Sequence, residues 1–297
     1  MALIDLLQTS MPALIGLAIV LGLMVGSFLN VVIYRLPIML QREWRQQCIE
    51  FLELDPTQVS KPMVMAEFTR FDLAKPDSHC PHCKNPVRVW ANIPLLSYFL
   101  LRGKCAACSA PISPRYPLIE ALSGVMSGLV AWQLGPQWLT LYALVLSWSL
   151  LALTLIDFDH QLLPDNITLP LLWLGLLVNT LLPGFASASD AIIGAAAGYL
   201  CLWSIYHLFR LLTGREGMGY GDFKLLAVLG AWLGWQSLLS IVLLSSLSGA
   251  VIGIFLLLFR GHDRNIPIPF GPYLALAGFI TLLWGEQLIA LTLGGQW

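Results

Sequence analysis

The chain has 297 residues, 57% of them hydrophobic and 11% charged, with a mean hydropathy of +0.75 and a net charge of −1. Soluble domains carry roughly 25% charged residues, so the composition excludes an ordinary soluble protein. It fits a polytopic membrane protein surrounded by lipid; the net charge by itself argues nothing about nucleic acid, which is not an expected partner, and the arrangement of the charges says more.

Apolar runs predict an all-α fold of about eight transmembrane helices, over 11–33, 117–134, 138–156, 167–183, 190–212, 223–239, 240–259 and 271–293. The first run reads as a span rather than a cleaved leader, because Asp5 stands where basic residues belong and the run is long enough to cross. When the loops are assigned alternately to two sides, all 16 Lys and Arg residues fall on one side. Asp5, Asp190 and Glu286 are the charged groups of the other. The positive-inside rule then makes the basic side cytoplasmic and leaves both termini outside.

The first run ends in Gly26-Ser27-Phe28-Leu29-Asn30. Ser27 and Asn30 share a helical face, which reads either as a polar packing surface or as a substrate contact. Residues 38–115 form the one sizeable soluble portion, dividing the chain into 1–37, 38–115 and 116–297. Within it, 41–56 suggests a short surface helix, and Trp90–Tyr98 is apolar enough to lie on the membrane or to dock a hydrophobic ligand.

Cys80-x-x-Cys83 is followed, across the stretch 84–104, by Cys105-x-x-Cys108, close to a zinc-ribbon spacing. Four thiolates suit tetrahedral Zn²⁺ and leave no open coordination position, so a structural metal is expected. Two disulfides would be the competing reading, and they conflict with a reducing cytoplasmic side. His79 and His82 are surplus to such a site. Arg102, Gly103 and Lys104, in the loop nearest the metal, are candidates for cofactor contact. Glu120 lies about one turn inside an apolar run, where a charge is costly; it reads as a substrate-binding group or as an acid neutralised by a loop cation. Glycine pairs four apart (124/128, 194/198, 230/234, 249/253) fit close helix packing.

Two acid-bearing turns carry the chemistry. Asp157-Phe158-Asp159-His160-Gln161-Leu162-Leu163-Pro164-Asp165 closes one apolar run. Gly217-Met218-Gly219-Tyr220-Gly221-Asp222-Phe223-Lys224 opens another. Positions two apart on a helix face nearly opposite ways, so Asp157 or Asp159, but not both, can face a polar pocket. Asp165 or Asn166, just after Pro164, is placed as a helix N-cap, and Asp165 reads as structural. Two carboxylates sharing a pocket do not ionise together, which leaves one as base and one as acid. Asp157 and Asp222, one from each turn, are the expected catalytic pair. Backbone at Gly219 and Gly221, with Lys224 beside it, would hold an extended substrate.

The runs GSFLNVVIYRLP, RYPLIE, IDFDHQLLPD and GMGYGDFK, with the double CxxC, occur in order over nearly the whole chain. Together they resemble the type IV prepilin peptidases, bifunctional GxGD aspartic proteases and N-methyltransferases of the bacterial inner membrane. The resemblance implies that Asp157 and Asp222 are catalytic, with Asp157 at the family's position ahead of the proline Pro164. It implies prepilin and pseudopilin substrates with a basic leader ending in glycine, followed by an apolar helix. It also implies methylation of the new N-terminus from S-adenosylmethionine, linked to the zinc-binding domain. A proton-coupled transporter would use buried acids too, but needs charges spread through the bundle. A non-enzymatic scaffold docking a partner through its zinc domain leaves the glycine-flanked Asp222 unexplained.

Overall fold

The computed structural model describes residues 9–54, 71–87, 93–215, 217–260 and 269–293. Asp5, the stretch 55–70 and Trp90, Ala91 and Asn92 therefore lie outside the described residues. Within them the regular structure is helical: α1 (Met11–Phe51), α2 (Leu96–Leu100), α3 (Arg115–Leu134), α4 (Trp138–His160), α5 (Asp165–Leu181), α6 (Ala188–Thr213), α7 (Tyr220–Leu233), α8 (Gln236–Arg260) and α9 (Gly271–Leu293). The all-α, membrane-spanning expectation holds.

Six of these helices, α1, α3, α4, α6, α8 and α9, are long and apolar enough to cross a membrane. The other two of the eight apolar runs make shorter helices, α5 with 17 residues and α7 with 14. At 1.5 Å per residue α7 rises about 21 Å, less than the ~30 Å hydrocarbon core. The run read as 223–239 is cut at Gly234, whose φ of 81° ends α7 before α8 begins.

Among the described residues two compact units form, one over 15–128 and one over 129–293 together with 9–14. Most of α3 thus groups with α1 and the cysteine segment, although the apolar pattern suggested a boundary at residue 116. In the first unit α1 is one continuous helix of 41 residues that includes Pro37, so the short surface helix expected over 41–56 is its continuation. Gly22 and Gly26 of α1 lie against α3, where added Cβ atoms would strike Ser127 and the Glu120 backbone. The Ser123 hydroxyl donates to the Gly22 carbonyl at 2.7 Å. Asn30 donates to the carbonyls of Gly26 and Tyr116, so the polar face of α1 is a packing surface. Arg35 is buried, its guanidinium donating to the Asp72 and Pro76 carbonyls at 2.9 and 2.6 Å, which fastens the segment before the first CxxC to α1.

In the second unit α7 is the central helix. Its residues from Asp222 to Trp232 are nearly all buried, as a helix apolar on every side requires. It packs against α5, α6, α8 and α9. The contact with α6 is the tightest, because Gly194 and Gly230 each present bare Cα atoms to the other's carbonyl. The contact with α5 is fixed by polar groups: Trp232 Nε1 donates to the Leu171 carbonyl at 2.8 Å, and Asn179 Nδ2 donates to the Ala231 and Trp232 carbonyls. Asn179 Oδ1 accepts from the amides of Phe185 and Ala186, so the buried side chain is fully satisfied.

Replacing Gly230 with Val drives a branched side chain into the α6 backbone. Overpacking of this kind costs about 1–3 kcal/mol. The expected outcome is a lower midpoint of thermal unfolding for the detergent-solubilised variant, measured by tryptophan fluorescence.

Candidate active site and metal centre

Helix α4 stops because Gln161 adopts the left-handed conformation (φ 51°), its N–H donating to the Asp157 carbonyl at 2.8 Å. Asp157 lies in that last turn and is 6% exposed, while Phe158, Asp159 and His160 are all exposed. The helical period thus sends Asp157 inward and Asp159 outward.

Asp222 enters from the opposite kind of helix end. Gly219 is the N-cap of α7 with extended backbone, which makes Asp222 the third helical residue. Its N–H donates to the Gly219 carbonyl at 3.2 Å, and the Gly219 backbone returns a hydrogen bond to the Asp222 carboxylate. This is the acidic half of a capping box. Asp222 is 6% exposed, yet Gly219 beside it is exposed, and a Cβ on Gly219 would meet nothing nearer than 3.8 Å. Space in front of the turn is therefore open. At Gly221 it is not, because a Cβ there would come within 2.8 Å of the Leu163 side chain.

The two carboxylates are near enough for their charges to interact directly. Among the described residues neither has a lysine or arginine at ion-pair distance. The nearest such cation in sequence, Lys224, is engaged elsewhere: its Nζ donates to both oxygens of Asp165 at 2.7 and 2.8 Å. That pair ties the first turn of α7 to the first turn of α5. It also replaces the N-cap role expected of Asp165, because Pro164 occupies the cap position and Asp165 is the first helical residue.

A third helix end, which no motif in the sequence singled out, meets the pair. Gly271 opens α9 with its backbone facing the Asp157 carboxylate, and a Cβ there would lie 2.5 Å from Asp157 Oδ2. The readable signal was Gly-Pro immediately before an apolar run, the usual mark of a helix start.

Glu120 belongs to the other unit. It is 9% exposed and accepts the Leu95 N–H at 2.9 Å, with the Ser27 side chain as a further partner. The loop cation considered for it is absent among its described partners. Backbone and hydroxyl donors hold this acid between α1, α3 and the start of α2.

The four cysteines Cys80, Cys83, Cys105 and Cys108 come together with all sulfurs within 4.8 Å of one another, and all six cysteines of the chain are free thiols. Each CxxC forms the same knuckle. Cys80 N–H donates to the Asn85 carbonyl and Lys84 N–H to that of Cys80. In the second pair, Cys105 N–H donates to Ala110 and Ser109 N–H to Cys105, all at 2.8–3.0 Å. Lys84 and Ser109 both have φ 58°, and each knuckle is closed by an isolated bridge, His79 to Pro86 and Lys104 to Pro111.

Zn–S bonds of about 2.3 Å in a tetrahedron place sulfurs about 3.8 Å apart, and Cys80 Sγ lies 3.8 Å from Cys108 Sγ. Amides of Cys108 and Ala107 hold the Cys105 thiol down to about 6 and those of Cys83 and His82 lower that of Cys80, while burial and the three neighbouring sulfurs push Cys108 up to about 11. The donor set fits zinc. His79 bonds the Asp77 carbonyl through Nδ1 and is not needed as a ligand.

Arg102, Gly103 and Lys104 form the turn into the second knuckle, with Arg102 and Lys104 exposed. Gly103 has φ 69°, and its bare Cα packs on the Tyr98 ring.

Two family models match the chain: the bacterial peptidase A24 N-terminal domain over residues 20–134, and the type IV leader peptidase family over residues 144–254. Curated relatives named prepilin leader peptidase/N-methyltransferase are similar over nearly their whole length. The protein of Stutzerimonas stutzeri is 55% identical, covering 97% of this chain and 96% of the relative. That of Aeromonas hydrophila is 57% identical, with 97% of each chain covered. The Neisseria gonorrhoeae protein is 51% identical over 91% of this chain and 90% of its own. No solved structure matches.

Because each knuckle supplies two sulfurs, removing Cys80 and Cys83 together leaves half a site. The double variant Cys80→Ser/Cys83→Ser should fall from about one zinc per chain to near zero by elemental analysis.

Proposed function

This chain belongs to the type IV leader peptidase family, and on that basis we propose that Asp157 and Asp222 are the two carboxylates with which it cleaves the leader from a prepilin. The observation that carries the proposal is the burial of both acids together, each at 6% exposure, with no cation paired to either among the described residues. A stabilising role does not account for such an arrangement, since buried charges without partners cost several kcal/mol apiece, of the order of the desolvation penalty itself. Acid–base work at a peptide bond does.

In this scheme one carboxylate takes a proton from water as the water oxygen adds to the scissile carbonyl. The other, protonated, gives its proton to the amide nitrogen as the C–N bond breaks. The leader departs with a new carboxylate, and the mature chain keeps a new amine. The exposed backbone of Gly219, with half-buried Gly221 behind it against Leu163, presents an edge along which the scissile segment lies extended, after the glycine that ends a basic leader. Lys224 takes part by holding its helix start through Asp165. The basic side of the chain is the cytoplasmic side of the bacterial inner membrane. A basic leader stays there while the following apolar helix remains in lipid.

The second activity, N-methylation of the new amine, belongs with the zinc-knuckle unit. Zinc bound by four thiolates is structural there. S-adenosylmethionine, when bound, supplies an electrophilic methyl group to the amine nitrogen. The exposed Arg102 and Lys104, flanking the sharp turn at Gly103, suit its carboxylate. Glu120 is assigned to substrate through the α1–α3 surface that it stabilises.

Asp157→Ala and Asp222→Ala should each reduce cleavage of a prepilin by more than about 1,000-fold, the scale of losing a general acid or base. Gel mobility of the pilin reads the outcome. Retained cleavage in either folded variant refutes the pair. Asp159→Ala should keep cleavage within about threefold, since this side chain faces away from the pair; a dead but folded variant would reassign the acid.

A further inference from the structure

The head of α9 carries an observation that the two-acid scheme leaves unused. Asp157 Oδ2 is buried and has no hydrogen-bond partner. A buried carboxylate oxygen without a hydrogen bond is costly, so what the fold sets against it matters. Among the described residues, the polar element set against it is the first turn of α9.

The donors of that turn can be accounted for one by one. Pro272 has no N–H. The amides of Tyr273 and Leu274 both donate to the Phe270 carbonyl, at 3.1 and 3.2 Å. The Gly271 amide is what the turn has left, and it faces the Asp157 carboxylate. It sits at the positive end of a 23-residue helix, where partial charge favours an anion. Approach this close is possible because residue 271 lacks a side chain. A Cβ would come to 2.5 Å from Asp157 Oδ2 and 3.1 Å from Cγ, and to 3.3 Å from Leu163 Cδ1. Of these neighbours the short Asp157 side chain is the one that would have to swing away.

We propose that Gly271 is a positioning residue of the peptidase: its bare Cα and amide seat the Asp157 carboxylate against the head of α9 and aim it at Asp222. The proposal rests on the assignment of Asp157 and Asp222 as the cleaving pair. It adds a third helix end, from a part of the chain well beyond the GxGD turn, to a site otherwise built from two.

The test is Gly271→Ala in the full-length protein, in detergent, with a prepilin substrate and with a mature pilin as methyl acceptor. Displacing a reacting group by about 1 Å costs roughly 100-fold. The kcat for cleavage should therefore fall at least that far, with KM within about twofold and methylation of the mature pilin unchanged. The companion variant is Leu163→Ala/Gly271→Ala, measured against Leu163→Ala alone. If Gly271 serves Asp157, the double variant stays as impaired as Gly271→Ala. Recovery of cleavage in the double variant would mean that the glycine only makes room for Leu163, and joint loss of methylation and cleavage in Gly271→Ala would mean that it only supports the fold. Either result overturns the proposal. Neither touches the assignment of the aspartate pair, which Asp157→Ala and Asp222→Ala decide separately.

Discussion

Two buried carboxyl groups with no cation paired to either among the described residues are the constraint around which the second half of the chain is arranged. A lone carboxylate at such depth would normally be matched by a cation, and here Lys224 is close in sequence yet committed to Asp165. What the chain offers the acids instead is helix geometry. Asp222 lies in the first turn of α7 and Gly271 opens α9, so both acids face N-terminal helix ends, where unspent amides and partial positive charge favour anions. Backbone dipoles temper the cost of burial without neutralising either acid. A full salt bridge would stabilise the fold more and leave no acid or base to react.

Close packing follows from the same requirement. Helix α7 is too short to span the bilayer alone, so its position depends on neighbours on every side. Glycines remove side chains where α6 meets it, and Asn179 and Trp232 each donate to backbone carbonyls across the contact between α5 and α7. Leu163 fills the gap between Gly221 and Gly271. The Leu163–Pro164 turn therefore acts as a spacer between the start of α7 and the start of α9. Its register is fixed from the other side by the Lys224–Asp165 pair. Being partly exposed, that pair contributes no more than about 1 kcal/mol, so it selects a geometry more than it adds stability.

Much of this was legible in the residues, for physical reasons that differ from place to place. Helix geometry allows only one of Asp157 and Asp159 to face a pocket, because a helix turns by about 100° per residue; which of the two it is came from the resemblance, and the structure buries Asp157 and exposes Asp159. The four cysteines could be grouped because thiolate pairs at that spacing have few other uses. Gly271 was not legible. Gly-Pro before an apolar run announces a helix start, but nothing local says which distant side chain that start will face. Asp165 shows the converse. Its placement after Pro164 reads as an N-cap, but Pro164 takes that position while the distant Lys224 claims the carboxylate. Helix ends were misjudged where the signal is conformational: Gly234 stops α7 through its positive φ, inside a run read as one helix to Leu239.

The cysteine unit solves a different problem by different means. Segment 71–87 has few apolar side chains and, apart from one bridge, no regular structure. Small segments of this kind do not bury enough surface to fix their own shape and need a staple. The staple is duplicated: His79–Pro86 and Lys104–Pro111 are the same knuckle twice, with the same two backbone hydrogen bonds, the same residue position in positive φ and the same closing bridge. The four sulfurs, which could hold one metal ion between the two copies, bring together segments that are separate in the chain. Since the first copy follows the segment that Arg35 clamps to α1, and the second follows the α2 turn that Glu120 holds to α3, a metal ion held there would lock both connections in the same step. Buried Arg35 and Glu120, each satisfied largely by backbone rather than by the other's charge, thereby tie the cysteine cluster to α1 and α3.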